Sequence, residues 1–157
     1  MSTQRLSIRA YNFASRVPVV GRGAFSAAFR LASPYFLTIP ATVESVEPGR
    51  AVVAMRQFPW VRNHLGGVHA IALCNLAEMA MGAVAEASVP TTHRWIPKGM
   101  SVEYKAKAVG RMRAEASLDL GPLADAGREA PVLVSVYDGA ETEVFSAEIR
   151  IWVTPKR

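Results

Sequence analysis

The sequence predicts an α+β fold in which one central hydrophobic helix is wrapped by a curved antiparallel sheet of about six strands. Half of the 157 residues are hydrophobic, which is enough to form one substantial core. A chain of this length is too short for two ordinary domains. A long apolar segment that ends near Ser88 has the composition of a buried helix. The segments around it alternate with a period of two, as half-buried antiparallel strands do. A helix that is apolar on nearly every side needs cover over most of its surface, and a curved sheet can supply it.

The first part of the chain is predicted to be a basic helical arm (residues 1–34) ahead of the folded domain (residues 35–157). No acidic residue precedes Glu44, whereas five of the 18 Lys and Arg residues do; the other 13 balance the 13 Asp and Glu residues. Aromatic and aliphatic residues between the arginines predict two short amphipathic helices, broken at Pro18 and Gly21. Three roles are open for this arm: cover for the domain, a contact with a membrane surface or an anionic ligand, and an organellar transit peptide.

The strands are predicted from their alternation and from the turns between them. Residues 41–57 form two strands joined at Pro48-Gly49, an order that suits the central positions of a type II turn. After the helix, alternate residues again share one face, so that Val102 and Tyr104 are expected to point inward. The later predicted strands span residues 100–108, 112–120, 132–136 and 145–153, with a loop over residues 121–130 and a turn at Asp138-Gly139.

Several classes of chemistry lack support in the residue inventory. The single cysteine, Cys74, excludes an intrachain disulfide and is expected to be packing inside the helix rather than a nucleophile. His64 and His69 lie close together in the sequence but have no well-placed third ligand, so no metal site is predicted. A Gly-x-Ser-x-Gly motif is absent, which disfavours a hydrolase of the serine type. We expect a cytoplasmic protein that needs no metal or redox cofactor.

Glu78 carries the most functional information in the sequence. It lies in the middle of the apolar helix, where burial of an unpaired carboxylate costs several kcal/mol unless a partner or a proton compensates for it. At about 100° per residue, Asn75 and Glu78 lie on one stripe and can face the same crevice. The stripe predicts a pocket or an interface with a functional carboxylate. The alternative is that Glu78 caps, bridges or is solvated at the helix surface.

The loop ahead of the helix offers a complementary feature. Gly66 and Gly67 permit close approach of the backbone, and the N–H groups of the first helical turn, near Ala70 and Ile71, can hold the negative charge that develops on an attacked carbonyl oxygen. A general base and an oxyanion site are therefore predicted at opposite ends of two turns of one helix. Glycines are also common in plain loops.

Two segments resemble the hotdog-fold acyl-CoA thioesterase superfamily. Residues 63–70, Asn-His-Leu-Gly-Gly-Val-His-Ala, with Glu78 following, resemble the Asn-x-x-Gly-x-x-His-Gly-Gly segment and helix carboxylate of phenylacetate-type acyl-CoA thioesterases. Residues 95–104, Trp-Ile-Pro-Lys-Gly-Met-Ser-Val-Glu-Tyr, resemble the neighbouring DUF4442-like hotdog branch. The order of elements over residues 35–154 is also similar to that of the hotdog fold.

The resemblance implies hydrolysis of a coenzyme A or acyl-carrier thioester. It implies that Asn63 orients substrate or water, that His69 lies beside the thioester, and that Glu78 is the general base or nucleophile. It also implies a homodimer or a dimer of dimers, in which the helix carboxylate of one protomer faces the loop of another. The pattern differs at one point, because Ala70 and Ile71 stand where the thioesterases have two glycines.

Other functions stay open. A basic cluster can either contact the phosphates of coenzyme A or form the solvated face of a strand. Its members are His93, Arg94, Lys98, Lys105, Lys107, Arg111 and Arg113. Ala70 and Ile71 favour a non-catalytic acyl- or lipid-binding module, and a carboxylate with a histidine is also compatible with hydration or dehydration of an acyl thioester. A DNA-binding regulator is disfavoured, because the arm is too short for a helix-turn-helix domain with a linker.

Overall fold

The computed structural model describes residues 18–123 and 126–156, together with Tyr11. These residues form two α-helices and one antiparallel sheet with the strand order β1-β2-β4-β5-β6-β3. Two short 3₁₀ helices, Pro34–Thr38 and Pro59–Val61, follow helix α1 and strand β2. The elements are α1 (Pro18–Ala32), β1 (Ala41–Glu47), β2 (Arg50–Met55), α2 (Ala70–Ser88), β3 (His93–Tyr104), β4 (Met112–Leu118), β5 (Arg128–Tyr137) and β6 (Glu143–Pro155).

Helix α2 is the centre of the core. It packs against β1, β2, β4 and β5, and alternate residues of those strands are buried against it, including Val53, Ala114 and Val134. By length and composition α2 could cross a membrane, but 72% of its most apolar window is buried inside the protein, as in the core helix of a soluble domain. The predicted central helix and its covering sheet are therefore confirmed.

The turn between β1 and β2 follows the sequence prediction. Gly49 has φ of 85°, a left-handed conformation that a type II turn requires at this position and that glycine adopts without steric cost. The inward residues predicted for the last strand are also buried, from Phe145 to Val153 at alternate positions.

Helix α1 covers strand β1, which is an edge of the sheet. Phe25 is buried there, and the Ser26 hydroxyl accepts a hydrogen bond from the backbone N–H of Val43 at 2.9 Å, next to a bulge in the strand. Tyr11 lies nearby and donates from its hydroxyl to the carbonyl oxygen of Glu44 at 2.7 Å. An unpaired edge strand is a site for unwanted pairing, so this cover protects β1.

Some predicted boundaries are wrong. Gly21 does not break a helix, because α1 spans Pro18–Ala32 and continues through Gly21. The predicted loop over residues 121–130 is shorter, because Arg128 already pairs with β6. The first predicted arm helix lies outside the described residues, apart from Tyr11. Three large apolar residues around the end of α1 are exposed: Leu31, Tyr35 and Leu37. The membrane-surface role of the arm stays a prediction.

Strand β3 is the second edge of the sheet, and its predicted inward face is largely uncovered. Val102 is 39% exposed and Tyr104 is 49% exposed, whereas the alternation predicts burial for both. The physical reason is that β3 pairs only with β6 and has little contact with α2. Among the described residues, Cys74 and Phe145 contact Tyr104 and Met100 packs against the core, but Val102 and Tyr104 stay partly exposed within one protomer.

Candidate functional site

The loop that leads into α2 is organised by Asn63. Its side-chain oxygen accepts the backbone N–H groups of Leu65 and Gly67, both at 3.0 Å, and its side-chain nitrogen donates to the carbonyl oxygen of Val68 at 3.4 Å. Both ends of the carboxamide are thus engaged inside the loop. Asn63 shapes the loop, and its contact with substrate or water stays a prediction.

The two glycines of this loop have local structural reasons. Gly66 has φ of 74°, in the left-handed region that disfavours other residues. A Cβ atom at Gly67 would lie 3.0 Å from the carbonyl oxygen of Ala108, to which the N–H of Val68 donates at 2.8 Å. Gly66 therefore permits the turn, and Gly67 allows the loop to pack closely against the segment after β3.

His69 caps the N-terminus of α2. Its Nδ1 accepts a hydrogen bond from the backbone N–H of Ile71 at 3.1 Å, so a neutral imidazole carries its proton on Nε2. The N–H of Ile71 is therefore not available to bind an oxyanion. The N–H of Ala70 has no backbone partner among the described residues, and Ala70 lines a cavity next to the loop. Of the two N–H groups predicted around this position, that of Ala70 is the free one.

Replacing the cap separates its structural role from its chemical role. We expect His69→Ala to lower the free energy of unfolding by about 1 kcal/mol, because the N–H of Ile71 loses its acceptor. We expect His69→Asn to retain the stability, because asparagine is a preferred cap residue. Chemical denaturation measures both variants. If His69→Asn is as unstable as His69→Ala, the side chain is not a simple cap.

A first cavity, which we call the loop cavity, lies between the loop and the end of β3. Its volume is about 490 Å³. At its edge the hydroxyl of Tyr104 lies 3.2 Å from Sγ of Cys74, and this hydrogen bond is the main reason that the pKa of Tyr104 is raised to about 12. The lining residues are Asn63, Leu65, Gly67, Val68, Ala70, Leu73, Tyr104, Ala106, Lys107 and Ala108.

A second cavity of about 280 Å³ contains Glu78, and we call it the Glu78 groove. Glu78 is half-buried and makes no hydrogen bond or ion pair with any residue that the structure describes. Near it, Trp95 donates from its indole N–H to a carboxylate oxygen of Glu86 at 2.9 Å. The lining residues are Phe29, Ala32, Ser33, Phe36, Glu78, Met81, Gly82, Glu86, Trp95 and Pro97.

One protomer does not bring the predicted base and the predicted oxyanion site together. His69 and Glu78 are nine residues apart on or next to α2, or about 13 Å along its axis. The loop cavity and the Glu78 groove share no lining residue. The prediction that both ends of the helix act on one substrate therefore requires a second copy of the chain.

Asn75 lies beside the groove rather than in it. It is 5% exposed, and its side-chain nitrogen donates to the hydroxyl of Thr38 at 2.9 Å. Its side-chain oxygen is buried without a hydrogen-bond partner among the described residues. Asn75 thus ties α2 to the 3₁₀ helix Pro34–Thr38, and its predicted contact with substrate stays a prediction.

The predicted basic cluster divides into paired and unpaired residues. Lys105 pairs with Glu143 at 2.9 Å, and this hydrogen bond raises the pKa of Lys105 and lowers that of Glu143. Arg111 and Arg113 also pair with carboxylates. In the described part of the chain Arg94, Lys98 and Lys107 have no ion pair, and all three are exposed, so they are the members of the cluster that remain free to meet an anionic ligand.

The aromatic walls of the groove were not predicted from the sequence. Phe29 and Phe36 stack with ring centroids 6.1 Å apart and come from the arm and the 3₁₀ helix after it. The four-residue spacing of Phe25 and Phe29 in α1 is a signal for one buried helix face. It does not reveal that this face reaches Glu78.

The comparisons with known proteins agree with this architecture. The model of a family called "Domain of unknown function (DUF4442)" matches residues 21–153. A crystal structure of the structural-genomics protein APC5556 is 39% identical, covers 94% of this chain and 99% of its own, and has a TM-score of 0.80. No curated protein matches the chain in sequence.

More distant structures have the same fold. PA5026 of Pseudomonas aeruginosa, a protein of unknown function and probable thioesterase, is 21% identical over 99% of this chain and 100% of its own, with a TM-score of 0.71. The thioesterase HI1161 of Haemophilus influenzae is 11% identical over 82% and 88%, with a TM-score of 0.70. The predicted hotdog fold and the resemblance to the DUF4442-like branch are confirmed.

Proposed function

We propose that this chain, which belongs to the DUF4442 family, hydrolyses an acyl thioester of coenzyme A or of an acyl carrier, with Glu78 as general base or nucleophile. The observation on which the proposal rests is the place of Glu78: a half-buried carboxylate without a partner among the described residues, in a groove with mostly apolar walls. A partly buried carboxylate without a partner lowers the stability of the fold. Such carboxylates are enriched at sites where a ligand or a reaction uses them. The fold shared with proteins named thioesterases supports the same class of reaction.

The proposed chemistry needs a base and a donor to the oxyanion. Glu78 takes a proton from water while the water oxygen attacks the carbonyl carbon of the thioester. The carbonyl oxygen becomes negative and accepts a hydrogen bond from the N–H of Ala70 at the positive end of α2. The C–S bond then breaks, and the thiolate leaves and takes up the proton that Glu78 accepted from water. Direct attack by the carboxylate, followed by hydrolysis of the anhydride, gives the same products.

Strand β3 supports the proposal that two protomers complete the site. Its first half contributes Trp95 and Pro97 to the Glu78 groove, and its last residue, Tyr104, lines the loop cavity. In an antiparallel pairing of two β3 strands across a twofold axis, the first half of one strand lies next to the end of the other. The Glu78 groove of one protomer would then face the loop cavity of its partner. The exposed apolar residues Ile96 and Val102 favour such a contact.

A panel of acyl-CoA thioesters of increasing chain length tests the proposed reaction. We expect release of free thiol, measured with a thiol-reactive dye, at a rate that depends on protein concentration and on acyl length.

A non-catalytic acyl-binding module is the second candidate, because Ala70 and Ile71 replace the glycines of the thioesterase pattern. Calorimetric titration decides between the two: binding of acyl-CoA without thiol release supports the module and contradicts hydrolysis.

A further inference from the structure

The Glu78 groove is a slot between the arm and the core. One wall comes from α1 and the 3₁₀ helix after it, with Phe29 and Phe36, and the other from β3, with Trp95. The floor is α2, where Gly82 lies one turn from Glu78 and one turn from Glu86. The two carboxylates therefore mark positions two turns apart along a mostly apolar slot.

The charges of this slot restrict what can enter it. Its polar side chains are two carboxylates and the hydroxyl of Ser33, and no basic side chain is among the described residues that line it. A phosphate or a free carboxylate would be repelled by the Glu78 carboxylate, while the aromatic walls favour an apolar group. An acyl thioester fits with its neutral acyl tail in the groove and its anionic carrier outside it. Glu86, which accepts the indole N–H of Trp95, closes the far end.

The length of the slot gives the length of the tail. Glu78 and Glu86 are eight residues apart on α2, or about 12 Å along the helix axis. An extended chain advances roughly 1.2 Å per bond. We infer that the groove is an acyl-length gauge that holds a chain of about ten carbons, with one wall supplied by the arm of the same protomer. This inference rests on the proposed function, because it names the acyl group that the thioester carries.

Gly82 is the position that sets the depth of the gauge. A Cβ atom there would lie 3.6 Å from Cζ of Phe29 and 3.9 Å from Cη2 of Trp95, which are ordinary contacts that fill the space between the walls. Glycine is a poor helix former, yet Gly82 is buried in the middle of α2. Glycine at this position leaves a space between Phe29 and Trp95 that a larger side chain would fill.

The test compares decanoyl-CoA with butyryl-CoA as substrates of the wild type and of Gly82→Val. Each methylene group of the acyl chain that is buried in the groove should raise kcat/KM roughly fourfold. We expect the wild type to follow this rise up to about ten carbons, and we expect Gly82→Val to lower the ratio of decanoyl to butyryl kcat/KM at least about tenfold. Gly82→Ala is expected to lie between them. Gly23→Ala is the matched control, because Gly23 is exposed on α1 with nothing within 4 Å of an added Cβ, and its ratio should equal that of the wild type.

Binding of decyl-CoA, a thioether that cannot be hydrolysed, separates this inference from the proposed function. If the wild type hydrolyses thioesters but Gly82→Val and Gly82→Ala keep its decanoyl to butyryl ratio, the gauge is wrong and the thioesterase proposal stands. If the wild type hydrolyses nothing but binds decyl-CoA, with weaker binding by Gly82→Val, the gauge stands and the proposed reaction fails. If it neither hydrolyses decanoyl-CoA nor binds decyl-CoA, the gauge is overturned. Thermal unfolding verifies that each variant is folded, and Gly82→Ala replaces Gly82→Val if the latter is not.

Discussion

Glu78→Gln is expected to lower kcat for thioester hydrolysis by about a hundredfold to ten-thousandfold, the range that a general base contributes. Glutamine has nearly the same shape but cannot take a proton from water or attack as a carboxylate. The free energy of unfolding should stay equal or rise, because Glu78 is half-buried without a partner among the described residues. Steady-state kinetics with the preferred acyl-CoA, beside thermal unfolding, measures both quantities.

Two other carboxylates on the chain serve for comparison. Glu86→Gln removes the second charge of the groove, but glutamine can still accept the indole N–H of Trp95, so we expect a loss of less than about tenfold. Glu47→Gln changes an exposed residue at the end of β1 and should behave as the wild type. A Glu78→Gln variant as fast as Glu47→Gln would contradict the assigned role of Glu78.

The parts of the fold that the sequence predicts well are those with local signals. Helix α2 is apolar because it is buried on nearly every side, and the strands around Val134 and Phe145 alternate because only one of their faces is buried. Both patterns are visible within a short segment. The turn at Gly49 is equally local. The predicted burial of Val102 is wrong for a non-local reason: alternation indicates a face that needs cover, but not whether the same chain supplies it.

The candidate site was predictable only in part. A carboxylate inside an apolar helix predicts that Glu78 meets a pocket, and it lines one. The contact of Phe36 with the Glu78 groove was not predictable, because it depends on how the 3₁₀ helix Pro34–Thr38 packs against α2. The sequence alone also does not show whether Asn63 contacts substrate or stabilises its own loop. In the structure its carboxamide binds the backbone of the loop.

The second large effect is expected at Ala70, the first residue of α2. Proline is well tolerated at the first position of a helix, and His69 already has the extended backbone, with φ of −66° and ψ of 138°, that a following proline requires. Ala70→Pro therefore deletes one N–H without breaking the helix. If that N–H binds the oxyanion, kcat falls by about a hundredfold to a thousandfold while the melting temperature is little changed. Ala70→Gly, which keeps the N–H, should retain most of the activity.

Mixing this variant with Glu78→Gln tests whether the base and the oxyanion donor come from different protomers. In a twofold dimer, equal mixing makes half of the dimers mixed, and each mixed dimer has one intact site, so about a quarter of the wild-type activity should return. Chains with two different affinity tags identify the mixed dimers, and gel filtration gives their size. Mixed dimers that form but stay inactive would contradict the shared site, and a fully active wild-type monomer would do so as well. Recovery to about a quarter would require that Glu78 of one protomer and Ala70 of its partner act on the same thioester.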